Sequence, residues 1–202
     1  MKKMILTLIW PLLLFINFAY KPTETKDHLN VAGPLAFDGV NYNLAWTSHP
    51  ADNYYMQEYI PTGDNINTYN TMLLLNAIVS PSLTIKDAVT AKISELDVRK
   101  KTDAVVNYKV FNNNDETEYV IDFLESQSNS TEDRLDIVEW NAYRYKAFTD
   151  STGTTGVMLL GLSMRAYGGA IRPFLTGLKE ARLRNIDSLI NLKMPFIAIA
   201  KK

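Results

Sequence analysis

One stretch of the sequence decides the fold: Val157-Met158-Leu159-Leu160-Gly161-Leu162-Ser163-Met164-Arg165-Ala166-Tyr167. Every second residue from Met158 to Ala166 is apolar, which is the period-two pattern of a β-strand with one buried face. The residues between them include Gly161, Ser163 and Arg165, so the opposite face is more polar. The stretch therefore predicts a long strand that contributes one row of side chains to a core.

The same alternation occurs in three segments that precede this strand, at residues 104–110, 119–123 and 136–148. Short runs of turn-forming residues connect them, including Asn112-Asn113-Asn114-Asp115 and residues 150–156. Four consecutive strands joined by short connections predict an antiparallel meander.

One of these strands, 136–148, contains a conflict in its alternation. Trp140 and Ala142 lie on its apolar face, but Arg144 and Lys146 follow on that same face. Either the strand runs beyond the core, or a β-bulge near Asn141 exchanges the two faces.

The N-terminal half adds a hairpin and two helices. Strands at 40–47 and 54–60 flank a polar loop, and in the first strand Trp46 falls on the apolar row. Residues 64–77 have apolar residues at helical spacing, and Thr84 with Asp87 predicts a capping box for a helix that ends near Arg99. A last helix begins near Pro173. The predicted class is α+β, with an antiparallel sheet of about six strands, helices packed on it, and the order β-β-α-α-β-β-β-β-α.

Residues 1–20 have the layout of a Sec-type secretory signal peptide. Lys2 and Lys3 precede an apolar run that extends from Met4 to Ala19, and polar residues follow. The run is short for a membrane-spanning helix, although an uncleaved N-terminal anchor is the alternative. We therefore predict a signal peptide at 1–20, a leader at 21–37 and a single α+β domain at 38–202, exported to the periplasm or the extracellular space.

The composition of the chain excludes several kinds of binding and catalytic site. The chain of 202 residues has a formal net charge of −1, no cysteine and two histidines, His28 and His49. A near-neutral charge argues against nucleic-acid binding. The absence of cysteine excludes disulfides, thiol nucleophiles and cysteine-based metal sites. The sequence lacks the glycine-rich motifs of nucleotide-binding loops, the Gly-x-Ser-x-Gly motif of α/β-hydrolases and the His-Glu-x-x-His motif of metalloproteases. The sequence thus predicts no cofactor, no metal site and no catalytic residue.

A candidate binding site is found on the more polar face of the predicted sheet. If a helix or loop covers part of that face, its hydroxyls, amides and charges form a polar pocket for a small ligand. The alternative is an ordinary solvated face, in which Asp122 pairs with Lys109 or Arg165. The candidate ligand-binding residues are Asp122, Tyr143, Arg165, Tyr59 and Lys109.

The element order, the Trp-containing hairpin and the segment Tyr59-Ile60-Pro61-Thr62-Gly63-Asp64 resemble the Mog1/PsbP-like group of small α/β proteins, many of them exported bacterial proteins without an assigned activity. The resemblance covers most of residues 38–202 and brings no catalytic motif with it. It implies a role in binding or assembly.

We therefore expect an exported, non-enzymatic domain that binds a partner protein or a small ligand in the cell envelope. It would contact a membrane only if residues 1–20 stay uncleaved. Two alternatives remain open. One is a hydrolase or lyase based on carboxylates and tyrosine, for example Asp122, Tyr143 and Arg165 together. The other is an N-terminally anchored structural protein of the envelope.

Overall fold

The computed structural model describes residues 25–129 and 134–199. The predicted signal peptide lies outside the described residues. These ranges contain eight strands and two α-helices, and a 3₁₀ turn, Gly168–Ala170, precedes the second helix. The strands are β1 Leu35–Phe37, β2 Val40–Ala51, β3 Tyr54–Pro61, β4 Thr71–Val79, β5 Asn107–Asn112, β6 Glu118–Asn129, β7 Arg134–Thr149 and β8 Thr155–Tyr167; the helices are α1 Ile85–Arg99 and α2 Ile171–Asn191.

All eight strands belong to one antiparallel sheet with the order β1-β2-β3-β4-β8-β7-β6-β5. Two meanders, β1 to β4 and β5 to β8, meet where β4 pairs with β8. Helix α1 connects the meanders. Strand β8 therefore lies at the centre of the sheet, and its neighbours are β4 and β7.

The two helices cover opposite faces of the sheet. On the α1 face, Val89 and Leu96 of the helix pack with Ile121 and Phe123 of β6. On the α2 face, the helix residues Leu178, Ile186 and Leu189 pack with a row that includes Trp140, Leu160 and Leu162. Both faces thus have a core, and neither is simply a solvated face.

The predicted order β-β-α-α-β-β-β-β-α and the predicted count of about six strands are both wrong. Residues 64–77 do not form a helix, because Thr71–Val79 is strand β4. This strand lies between β3 and β8 and is buried on both faces, so it has a continuous apolar run instead of an alternation. Such short runs fit a helical period as well as a strand. The broader prediction of an α+β domain with an antiparallel sheet is confirmed, as is the Thr84–Asp87 capping box of α1.

Part of the predicted leader, residues 21–37, packs on the sheet. Its Leu29 is fully buried, and Leu35–Phe37 forms edge strand β1 against β2. The backbone N–H groups of His28 and Leu29 donate to the Gln57 side chain, at 2.8 and 3.0 Å. These contacts hold the segment on the α2 face of β3.

A β-bulge interrupts the pairing of β2 with β3. Leu44 lies opposite Tyr59, but the next pair is Trp46 with Glu58, so Ala45 is the extra residue. Because a bulge shifts the alternation by one position, Trp46 changes to the α1 face and is 40% exposed. Strand β7, in contrast, pairs regularly through Asn141, without the bulge that was one of the two predicted explanations for Arg144.

Candidate ligand-binding cleft

A cleft of about 600 Å³ opens between α1 and the sheet. Its floor comes from β3, β4, β7 and β8, and one wall comes from the Asp87–Glu95 side of α1. We call this space the α1 cleft. Its size is typical of sites that bind small molecules.

The floor of the α1 cleft follows one cross-strand row. Glu58 of β3 lies opposite Leu74 of β4, Leu74 opposite Gly161 of β8, and Gly161 opposite Tyr143 of β7. A Cβ atom on Gly161 would lie 2.9 Å from Cδ1 of Tyr143 and 3.1 Å from Cδ1 of Leu74. The glycine therefore allows the Tyr143 ring to lie across β8, and no side chain of β8 extends into the cleft at this position.

A polar network occupies one end of the cleft. The Arg165 guanidinium forms a salt bridge of 2.5 Å with the Glu139 carboxylate and lies 4.3 Å from the centroid of the Tyr69 ring. The Tyr69 hydroxyl donates to the same carboxylate at 3.0 Å. Burial, followed by the charge of Glu139, raises the pKa of Tyr69 far above its ordinary value. These three groups therefore form a closed network with a protonated phenol.

Glu58 has a different environment on the same floor. It is partly buried, and no cation or hydrogen-bond donor from residues 25–129 or 134–199 contacts its carboxylate. Burial raises the pKa of Glu58, the nearby charge of Glu139 raises it further, and Arg165 partly offsets this. Glu58 is thus a carboxylate with unused acceptor capacity in the cleft.

The remaining lining combines apolar and polar groups. Side chains of Met72, Leu74 and Leu159 provide apolar surface. The buried side-chain oxygen of Asn76 has no hydrogen-bond partner within the described part of the chain. On the helix side, Lys92 pairs with Glu95 at 2.8 Å. The cleft is therefore amphiphilic and contains more acidic than basic side chains.

Two of the five candidate residues, Tyr143 and Arg165, line the α1 cleft. Burial, and then the charges of Glu139 and Glu125, raise the pKa of Tyr143 well above its ordinary value. Its phenol is therefore protonated at neutral pH and is suited to hydrogen bonding.

The other three candidates lie on the α2 face. Asp122 is 2% exposed and forms a salt bridge with Arg182 of α2, and Lys109 lies opposite it in β5. Tyr59 donates to the backbone oxygen of Val31 at 2.6 Å. The sheet separates Asp122 from Tyr143 and Arg165, so these three side chains do not converge.

Sequence reasoning missed two groups that line the cleft and one tryptophan in the strand next to it. Glu58 and Asn76 were not singled out, because the first stood in a hairpin strand beside Gln57 and the second was assigned to a helix. Trp46 was placed on the buried row, which the bulge at Ala45 changes. The one available signal was that Glu58 is the charged residue of strand 54–60.

Other kinds of site find no support in the described ranges. No group of three or more histidine, aspartate or glutamate side chains there is arranged to hold a metal ion. No helix among residues 25–129 and 134–199 is both long enough and apolar enough to cross a bilayer.

Fold and cleft together define the class of protein, an α+β domain with an eight-stranded antiparallel sheet and an amphiphilic cleft under one helix. A protein-family model matches residues 29–194, so the chain belongs to that family, whose function is unknown. Neither a curated protein nor a solved structure matches the chain.

Proposed function

We propose that this protein is an exported, non-enzymatic domain that binds a small ligand in the α1 cleft. The observation that carries the proposal is the cleft itself, which combines a volume of about 600 Å³, an apolar floor and unpaired acceptors at Glu58 and Asn76. Buried acceptors without partners are costly, so a bound donor would stabilise them. Export is proposed from the charged and apolar pattern of residues 2–19, and the relation to the Mog1/PsbP-like group stays a prediction.

Binding is favoured over the carboxylate–tyrosine hydrolase by the arrangement of the charged groups. General acid–base chemistry requires the participating groups within hydrogen-bond reach of the same substrate. Asp122 is engaged with Arg182 on the α2 face, whereas Tyr143 and Arg165 face the α1 cleft. Within the cleft, the Glu139 carboxylate already binds Arg165 and Tyr69.

A fragment screen with a blocking variant tests the proposal. Ala91 is exposed and lines the cleft from α1, so Ala91→Trp introduces a large ring into the cleft without changing the core. The matched control is Val98→Trp, because Val98 lies on the same helix, is 64% exposed and does not line the cleft.

We expect fragments that shift the backbone amide resonances of Leu74 and Leu159 in the wild-type protein. The same fragments should shift them in Val98→Trp and not in Ala91→Trp. The proposal is overturned if no fragment from a diverse library perturbs the cleft, or if Ala91→Trp binds the fragments as well as the wild-type protein does.

A further inference from the structure

The bulge at Ala45 adds an aromatic ring to the region around Glu58. Trp46 and Glu58 are directly opposite each other in neighbouring strands. Cross-strand partners have their Cβ atoms about 5 Å apart and on the same face. Without the extra residue, Trp46 would lie opposite Gln57 on the α2 face. Bulges frequently occur next to binding sites, where they redirect a side chain.

The Trp46 ring is available for a ligand. It is 40% exposed, although an exposed tryptophan surface is unfavourable in water. Tyr69, whose ring lines the cleft, is already covered by the Arg165 guanidinium. That contact shows within the same cleft how a cation stacks on a ring next to a carboxylate.

The other carboxylates of the cleft have partners. Glu139 binds Arg165 and Tyr69, Glu95 binds Lys92, and Asp87 caps α1 through Thr84. Among the described residues that line the cleft, Glu58 is the acid left without such a contact. A cation at Glu58 would relieve the repulsion between Glu58 and Glu139, whereas an anion would increase it.

We propose that the ligand of the α1 cleft carries an organic ammonium group, which binds between the Glu58 carboxylate and the Trp46 ring. Its apolar part lies along Leu74 and Leu159 on the floor. Rings of tryptophan attract ammonium groups strongly, and a facing carboxylate adds a charge-assisted interaction. This inference rests on the proposed function, because it names the chemical class of the ligand that the cleft takes.

Three probes with the same six-carbon chain test the class of the head group: hexyltrimethylammonium, hexanol and hexanoate. Titrations followed by NMR, including the indole N–H resonance of Trp46, give a dissociation constant for each. We expect the ammonium probe to bind at least tenfold more tightly than hexanol, and hexanoate to bind more weakly than hexanol.

Variants then assign the preference to the two residues. Glu58→Gln should weaken binding of the ammonium probe about tenfold and leave hexanol unchanged. Trp46→Leu should weaken the ammonium probe about threefold to fivefold. The matched control is Glu180→Gln, which removes an exposed carboxylate of α2 outside the cleft and should leave the preference for the ammonium probe intact.

The outcomes separate this inference from the function on which it rests. If hexanol or hexanoate binds and Ala91→Trp blocks it, but the ammonium probe has no advantage, the cleft binds ligands and the ammonium class is wrong. If Glu58→Gln keeps the full preference, the inference is also overturned. If none of the three probes binds, both the ammonium class and the proposed binding role fail.

Discussion

Arg144 fastens helix α2 to the sheet, and its replacement gives the sharpest test of the fold. The side chain is on the α2 face of β7, and the residue is 7% exposed. Its guanidinium binds the Glu118 carboxylate at 2.6 Å and donates to the backbone oxygens of Leu189 and Leu192 at 3.1 and 2.7 Å. Leu189 lies in the last turn of α2 and Leu192 directly follows the helix, where a cation also stabilises the helix dipole.

The expected loss follows from the partners that Arg144→Met leaves behind. Methionine preserves most of the apolar stem of the side chain but has no hydrogen-bond donor. Glu118 and the backbone oxygens of Leu189 and Leu192 therefore lose the cation that they share. Breaking a buried ion pair costs about 3–5 kcal/mol. Glu118 is 19% exposed and keeps Lys146 at 2.7 Å, so we expect the lower end, about 3 kcal/mol. That corresponds to a fall in Tm of roughly 6–12 °C for a protein of this size.

Urea unfolding followed by far-UV circular dichroism measures this change in the free energy of unfolding. The control is Lys146→Met, which removes a cation from the same carboxylate, but one whose side chain is 44% exposed. Exposed pairs contribute little, so the control should lose less than about 1 kcal/mol. A double-mutant cycle with Glu118→Gln should give a coupling energy of about 1 kcal/mol or more for Arg144. The reasoning is refuted if Arg144→Met and Lys146→Met cost the same.

Two further predictions concern the floor of the α1 cleft. Because the pKa of Glu58 is raised in the folded state, the stability tied to its protonated form is present below its unfolded pKa and is lost as pH rises through the folded pKa. The variant Glu58→Gln should therefore unfold at a higher temperature than the wild-type protein at pH 7 and at a similar temperature near pH 4. Equal differences in unfolding temperature at both pH values would contradict this prediction. Gly161→Ala forces a methyl group against Tyr143 and Leu74 and should cost about 1–3 kcal/mol in urea unfolding, whereas an unchanged midpoint would show that the ring moves freely.

The sequence predicted a strand best where small or polar residues interrupt one of its two rows of side chains. Residues 157–167 show an alternation because β8 puts Met158, Leu160 and Leu162 under α2, while Gly161, Ser163 and Arg165 interrupt the row that faces α1, in which Val157 and Leu159 are also buried. Strand β4 was misassigned because both of its faces are buried, so its run from Met72 to Leu75 has no alternation to detect. Both strands lie at the centre of the sheet, so the difference between the two predictions follows from the residues on the α1 face of each strand.

The charged residue Arg144 on the apolar face of β7 has a third explanation, which the alternation of residues along the strand could not indicate. The strand neither leaves the core nor bulges at Asn141, since Arg144 stays on the buried face and is neutralised there by Glu118 and the end of α2. A buried cation is tolerated when its donors are all engaged. Two of its acceptors, the backbone oxygens of Leu189 and Leu192, lie more than forty residues later in the chain, and no local pattern specifies that contact.

Which residues share the candidate site depends on the register between strands, and register is a property of pairs of strands. Parity singled out Tyr143 and Arg165, but it also put Asp122 on the same face, because one list of alternate residues cannot show which helix covers which side. Three unusual features then coincide in the observed sheet: an exposed Trp46 at a bulge, an unpaired Glu58 and the ring-covered Gly161. They lie in a single cross-strand row, from Trp46 through Glu58 and Leu74 to Gly161 and Tyr143. Independent defects would be scattered over the sheet, whereas groups that contact one ligand must lie together, so their shared row favours a binding site over three separate irregularities.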